Sequence, residues 1–357
     1  MPTTSHAVSR QPASRVVLTA GNALVARGAL AAGCNFFSGY PITPASEIYA
    51  EMMQLLPQRG GVAVGAPDEI SALSYAVGAS LAGARAMTAT SGPGWALMIE
   101  TVQYALMTET PVVIAVSQRL GPATGGATQG AQGDVLLIGH ATSGGYPIPV
   151  LAPVEAQDCY TLTAEAFRRA EALRTPVVLL MDKETSKTVE TVDIDALPSI
   201  DVAPRRAAAA DDTFVPYRIE SLEDVPAFSP VGGRHKVTAT GSAHDEQGRL
   251  QKNDPETLQQ LRHLSAKVRS RAADLECVRH RHTPGARTLL VSYGITARAC
   301  RQVADELAAQ ERPVDLLEVL SLFPVPEQAL RAAAARKERI VIAEENESGL
   351  YARELLP

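Results

Sequence analysis

The sequence predicts an α/β protein: a parallel sheet covered on both faces, followed by a second, smaller α/β unit. Three observations carry this. From about residue 16 to 190, short apolar runs alternate with longer stretches of helical periodicity. Two of those runs, residues 111–116 and 176–181, are continuously apolar, as strands buried on both faces are. The alternation lapses after about residue 190 and resumes at Ala286.

Taken in order, residues 16–19 read as a strand and 22–32 as a helix that stops at Gly33, a favourable residue just past a helix end. Residues 35–38 are a short strand. Thr43-Pro44 then opens a helix to about Leu56, with threonine as its cap and proline in the first helical position. Residues 68–81 form a helix closed by Gly83, and 86–90 a strand. Ser91 to Gly94 make a turn ahead of a helix over 95–108, and 111–116 is a buried strand. A helix near 156–173 and the strand 176–181 complete the first unit, residues 16–190. Residues 191–284 read as a linker or excursion, with Pro, Asp, Arg and Ala over 198–212 and one charged helix over 254–281. In the second unit, residues 285–357, strands at 288–292, 313–319 and 339–343 alternate with helices at 296–310 and 326–337. Residues 1–15 are polar and read as a flexible tail.

Composition narrows the function. Hydrophobic residues are 46%, charged residues 20% and aromatic residues only 4% of the 357, so aliphatic side chains fill the core. No apolar run reaches the length of a membrane span. A net charge of −6 argues against nucleic-acid and anionic-membrane partners. The four cysteines are far apart in sequence, so a cysteine-held cluster, a zinc ribbon or a disulfide framework is not expected. Reduced thiols in a cytoplasmic protein are the plain reading.

The signatures GxxxxGK[ST], GxGxxG, HExxH and GxSxG are all missing, so chemistry must reside in less common motifs. Gly39 to Pro44 (GYPITP) is a strand-to-helix loop stiffened by two prolines around Thr43, and reads either as a rigid capped loop or as an anion site. In PDEI, Asp68 suits a helix start. Glu69 precedes a small-residue face (Ala72, Ala76, Ala79) where another chain can approach closely and partly desolvate it. Thr88 to Gly94 (TATSGPG) brings hydroxyls and Ser91, Gly92 and Pro93 to the C-terminal edge of the sheet, as a tight turn or a ligand cradle. In QRLGPATGGAT, Arg119 stands in a glycine-rich loop after a buried strand, a residue type suited to two-pronged capture of a carboxylate or phosphate. Arg279-His280-Arg281-His282 reads as a solvated helix end, and Lys183 and Lys187 as surface lysines.

In this order and spacing, GYPITPASE, PDEI, TATSGPG and QRLGPATGGAT resemble the alpha subunit of the 2-oxoacid:ferredoxin oxidoreductases, with the 2-oxoglutarate enzymes as the nearer subgroup. TATGSAHDEQG resembles the family's linker, and residues 340–346 its C-terminal domain. The resemblance covers nearly the whole chain. It implies a pyrimidine-binding domain for thiamine diphosphate followed by a transketolase-like C-terminal domain. It also implies an enzyme that oxidatively decarboxylates a 2-oxoacid to an acyl-coenzyme A and reduces ferredoxin. Glu69 matches the glutamate hydrogen-bonded to the cofactor's pyrimidine, which promotes loss of the C2 proton. Thr43 and Arg119 match residues facing the substrate's carboxylate and keto group, and Thr128 an assisting hydroxyl. Ser91, Gly92 and Pro93 fall in the cofactor-binding turn. The diphosphate, Mg²⁺ and [4Fe–4S] clusters are implied to belong to a beta subunit, in an (αβ)₂ assembly; no metal is expected on this chain. That division agrees with the missing GDG…N motif and cluster cysteines.

The chain departs from the family pattern at Pro67, where an acid is usual, and at Leu120 and Ala123, where a glycine and a serine are usual. GGAT stands for GLPT, and the chain stops earlier than the pattern, an expected weakening of subunit contacts. Two alternatives stand beside the enzyme that the resemblance implies: a non-oxidative thiamine-dependent decarboxylase subunit, which a partner without cluster cysteines would favour, and a non-catalytic ligand-binding paralogue, which these departures keep open.

Overall fold

The structure, a computed structural model, describes residues 15–210 and 214–355. All of the expected N-terminal tail but Arg15 lies outside the described residues. Along the first unit run β1 (Val16–Ala20), α1 (Gly21–Ala31), β2 (Phe36–Gly39), α2 (Ser46–Leu55), β3 (Val62–Gly65), α3 (Glu69–Leu81), β4 (Ala86–Thr90) and α4 (Gly92–Met107). There follow β5 (Val112–Gln118), α5 (Val135–Gly139), β6 (Val150–Leu151), α6 (Ala156–Leu173), β7 (Pro176–Asp182), α7 (Lys183–Lys187) and β8 (Val189–Asp193). After a long irregular stretch come α8 (Pro255–Arg269), β9 (Val278–Arg281), β10 (Thr288–Ser292), α9 (Gly294–Ala309) and β11 (Val314–Val319). The chain closes with β12 (Ser321–Phe323), α10 (Glu327–Ala334), β13 (Arg339–Ala343) and α11 (Leu350–Leu355).

The main sheet has the order β12-β6-β7-β5-β4-β2-β3. Its pairs are parallel except for β12, which comes from the second unit and lies antiparallel on β6. β4, β5 and β7 are buried at every position, which is why their sequences read as unbroken apolar runs. One layer of core lies under α1, α2 and α6, where Leu24, Ile48, Met52 and Phe167 pack with Val113 and Leu179. On the other face Trp95, Met98 and Val102 of α4 pack with Ile114, Val116 and residues of the second unit such as Leu322. Each such side chain, fully buried, contributes about 1.5–3 kcal/mol. In the second unit β13, β10 and β11 form a sheet that β9, from just before the unit, completes in the order β13-β10-β11-β9.

Four expectations change. β1 is a strand, but it pairs with β8 in a two-stranded antiparallel ribbon and not with the parallel sheet. α2 begins at Ser46 and not at Thr43-Pro44. The carbonyls that would start that helix are taken by distant donors, Thr43 O by Arg119 Nη1 (2.6 Å) and Pro44 O by Asn22 Nδ2 (2.8 Å). α4 begins at Gly92, with Ser91 at the cap position and Pro93 in the first turn, so the expected turn is already helix. The charged helix ends at Arg269. Residues 278–281 are not its continuation but an antiparallel edge strand on β11, where pairing overrides the helical reading of an Arg/His run.

The excursion between the units is pinned from within. Glu109, 1% exposed, accepts from Lys267 Nζ (2.6 Å) and meets His263 Nε2 (3.1 Å), both on α8 and both fully buried. Lys267 Nζ also donates to Arg174 O. Nearby, Arg205 forms a two-pronged pair with Glu171 and lies 4.5 Å from the centre of the Phe228 ring. Burial alone pushes the Glu109 carboxyl up, but Lys267, His263 and Arg174 outweigh it and hold the group well below the usual carboxylate range.

Candidate active site

The C-terminal ends of the parallel strands β2, β3, β4, β5 and β7 lead directly into the motifs singled out above, so the fold gathers those motifs along one edge of the sheet. β2 ends at Gly39 and leads to Thr43. β3 ends at Gly65 and leads to Asp68, whose carboxylate caps α3 by accepting from Ser71 N (2.7 Å). That cap leaves Glu69 as the first residue of the helix, 8% exposed, and among the described residues no donor reaches its carboxylate. β4 ends at Thr90 and delivers Ser91, fully buried with an unpartnered hydroxyl, to the start of α4. Thr88 Oγ1 is likewise buried and unpartnered.

Glycine is required where α4 meets these groups. A Cβ at Gly94 would lie 2.1 Å from Thr90 Oγ1 and 2.7 Å from Glu69 Cγ; at Gly92 it would lie 2.3 Å from Asp134 Oδ2. The first turn of α4 is thus wedged between two carboxylates, a position its partial positive charge favours.

β5 ends at Gln118, and Arg119 follows, 6% exposed. One arm of its guanidinium donates to Thr43 O, and Nε is buried without a partner. The loop beyond closes on its own backbone through Gly126 N to Leu120 O (2.9 Å) and Leu120 N to Gln129 O (3.0 Å). A cavity of about 640 Å³ lies against Gly92, Pro93, Arg119 and Asp134, with Leu120 and Pro122 on the loop side. Part of its wall, Asn346, Glu347, Ser348 and Leu350, comes from the second unit. Thr128 is exposed and is not part of the cavity wall.

These donors and acceptors meet a test for a bound heteroaromatic cofactor. Ser91 Oγ and Thr88 Oγ1 are buried hydroxyls that nothing in the described chain satisfies, and such groups are rare unless a ligand or water meets them; Glu69, beside Gly94, adds a carboxylate that no donor among the described residues reaches.

Two family models match the chain. One, described as pyruvate flavodoxin/ferredoxin oxidoreductase, thiamine diphosphate-binding, covers residues 27–263; the other, pyruvate:ferredoxin oxidoreductase core domain II, covers 286–355. Among curated relatives, the 2-oxoglutarate synthase subunit KorA of Archaeoglobus fulgidus is 40% identical over 330 residues, covering 92% of this chain and 88% of that protein. KorA of Methanothermobacter marburgensis is 36% identical, covering 94% and 92%. The chain belongs to the alpha subunits of the 2-oxoacid:ferredoxin oxidoreductases. It is an oxidoreductase subunit with the family's thiamine diphosphate-binding domain.

Among solved structures, the 2-oxoglutarate:ferredoxin oxidoreductase of Magnetococcus marinus, with 2-oxoglutarate, coenzyme A and succinyl-CoA bound, superposes with a TM-score of 0.90 at 30% identity. The match covers 96% of this chain and 60% of that one. A split-gene transketolase, at 14% identity and TM-score 0.51, shares the fold. Among the described residues of this alpha subunit no helix is long and apolar enough to cross a membrane.

Two functional-looking residues of the alpha subunit escape sequence reasoning. Asp134 lies at the rim of the cavity, its Oδ2 unpartnered; burial pushes its carboxyl up to about 6, with Arg119 partly opposing. Gln132 ties the two units together: its amide reaches Tyr293 O (3.2 Å), its Oε1 accepts from Thr296 Oγ1 (3.1 Å) and Glu345 N (2.7 Å), and its own backbone O accepts from Asn346. The only sequence signal for either is position, just past a glycine loop and ahead of an apolar turn. Beside Gln132, Asp182 at the end of β7 accepts from Ile295 N (2.5 Å) at the start of α9 and from Gln118 Nε2 (3.0 Å).

Proposed function

We propose that this chain is the alpha subunit of a thiamine-diphosphate-dependent 2-oxoglutarate:ferredoxin oxidoreductase, converting 2-oxoglutarate and coenzyme A to succinyl-CoA and carbon dioxide. The carrying observation is that Glu69, Ser91 and Arg119 follow three parallel strands at one edge of the sheet, with Ser91 Oγ and Arg119 Nε buried and unpartnered, in a chain with no diphosphate-binding motif. The bound cofactor supplies the electron sink that cleavage of a 2-oxoacid's carboxylate requires. Glu69 would accept a hydrogen bond from the protonated ring nitrogen of the cofactor's pyrimidine and hold the proton there. Ser91, Gly92 and Pro93 form the floor at the start of α4 and seat the ring. Arg119 anchors a substrate carboxylate with a charge-assisted bond, held in place by its bond to Thr43 O. That bond brings Thr43 next to Arg119, and Leu120 and Pro122 border the cavity.

The chemistry is completed by a beta subunit carrying the diphosphate, Mg²⁺ and [4Fe–4S] sites, in an (αβ)₂ assembly in the cytoplasm, with ferredoxin as electron acceptor. The relatives' names support further subunits and ferredoxin, and the ligands bound in the solved relative support 2-oxoglutarate and coenzyme A. The test is co-purification with the beta subunit and an assay of 2-oxoacids with coenzyme A and a viologen dye. The expected result is dye reduction that is fastest with 2-oxoglutarate. In Arg119→Ala the Michaelis constant for 2-oxoglutarate rises by about tenfold or more, the worth of a charged hydrogen bond, and rises less for monocarboxylic 2-oxoacids. An equal rise for every substrate overturns carboxylate anchoring. Decarboxylation without dye reduction, by a partner lacking cluster cysteines, favours the non-oxidative reading.

A further inference from the structure

We propose that His280, His282 and Asp315 form a binding site for a divalent transition-metal ion, Zn²⁺ the best suited, at the edge of the four-stranded sheet. β9 is extended, so residues two apart share a face. The antiparallel register sets His280 opposite Leu317 and carries His282 opposite Asp315, so that both imidazoles face the same stretch of β11. His280 Nε2 lies 3.3 Å and His282 Nδ1 3.1 Å from Asp315 Oδ2, and the three potential ligand atoms lie within 4.8 Å of one another.

The carboxylate is fully buried, while both histidines are exposed, which leaves an entry path for an ion and room for water ligands. Asp315 Oδ1 is held by Thr283 N (2.8 Å), an outer contact that orients the carboxylate. Two imidazoles and one carboxylate suit a borderline cation and not Mg²⁺ or Ca²⁺, which take oxygen ligands. None of the three residues lines the active-site cavity.

Lys337 is the competitor. Its ammonium donates to the same Asp315 Oδ2 (2.7 Å) and also to Ala286 O (2.9 Å). An entering cation displaces it from the carboxylate, and the bond to Ala286 O remains to hold it. The bound ion then clamps β9 and the turn after it onto β11, and stabilises the chain by an amount that rises with the logarithm of the free ion concentration above its dissociation constant.

The experiment is calorimetric titration of the chelator-stripped full chain with ZnCl₂, together with its melting temperature and the absorption spectrum with Co²⁺. Expected are saturable binding of one ion per chain, a raised melting temperature and a Co²⁺ spectrum without a thiolate charge-transfer band. His282→Gln, a surface change that leaves the fold intact, weakens binding by about tenfold or more through loss of one of three ligands. Lys337→Met tightens it. No saturable binding, binding indifferent to both His280→Gln and His282→Gln, or a thiolate band tracing the ion to a cysteine overturns the proposal.

Discussion

Two clusters of charged and polar residues lie in the interior of this chain, and they differ in one respect. At Glu109, each carboxylate, amine and imidazole in reach is matched: Lys267 and His263 to the acid, Lys267 again to a carbonyl, and His263 Nδ1 to Leu222 O. At the edge of the main sheet, Ser91 Oγ, Thr88 Oγ1, Arg119 Nε and Asp134 Oδ2 are buried and matched to nothing. The first cluster has no capacity left for a ligand and serves to dock α8. The second retains hydrogen-bonding capacity, with Arg119 and Asp134 in a cavity wall, which is the condition for binding something else. Burial and charge alone do not separate the two; the balance of donors and acceptors does.

Three changes test that contrast. Glu69→Ala has the largest expected effect: thiamine-dependent turnover of the assembled enzyme falls by about a thousandfold, while the melting temperature of the chain stays the same or rises. Turnover near normal sinks the role given to Glu69; a collapse in melting temperature moves Glu69 into the structural class. Lys267→Met is the converse. It leaves Glu109 buried and short of its cation and lowers stability by about 3–5 kcal/mol by chemical denaturation, with the Michaelis constant of the surviving enzyme unchanged. Glu109→Gln combined with Lys267→Met recovers part of that loss. A Lys267→Met loss within about 0.5 kcal/mol, as at an ordinary surface site, removes the distinction between the clusters.

The smallest effect concerns pH. Burial pushes the Asp182 carboxyl from its ordinary 3.8 up to about 7, so the folded chain keeps a proton there that the unfolded chain gives up. The stabilising protonated form therefore fades as pH rises. Between about pH 4 and pH 7, this one group lowers stability by about 1.4 kcal/mol for each unit of rising pH. Asp182→Asn removes that slope, measured as the difference in unfolding free energy between the two proteins at pH 5 and at pH 7. Parallel pH profiles contradict it.

The parts that could be read in the sequence are those decided locally. Continuous apolar runs mark β5 and β7 because strands under two helical layers admit little else. Glu69, Thr43 and Arg119 stand in motifs whose order survives in the chain, and each falls within four residues after the C-terminal end of a parallel strand. What could not be read depends on distant partners. Thr43 looks like a helix cap until Arg119 takes its carbonyl. The Arg/His run over 279–282 looks like a helix end until β11 pairs with it. Asp134 and Gln132 carry no local pattern, because their work is set by Gly92 on one side and Tyr293, Thr296 and Glu345 on the other. Thr128 shows the reverse: its motif matches, but a loop folded on its own backbone leaves it in solvent.

The position of Gln132 sets a rule for recombining such chains. One amide side chain joins the loop after β5 to the start of α9 and the segment after β13. A chimera that takes its second unit from a relative inherits a new cavity wall at 346–350 but keeps the old keystone. Exchange succeeds as a block only when residue 132 travels with residues 293–296 and 344–346, so the natural unit of inheritance here is a set of contacts that cuts across the order of the chain.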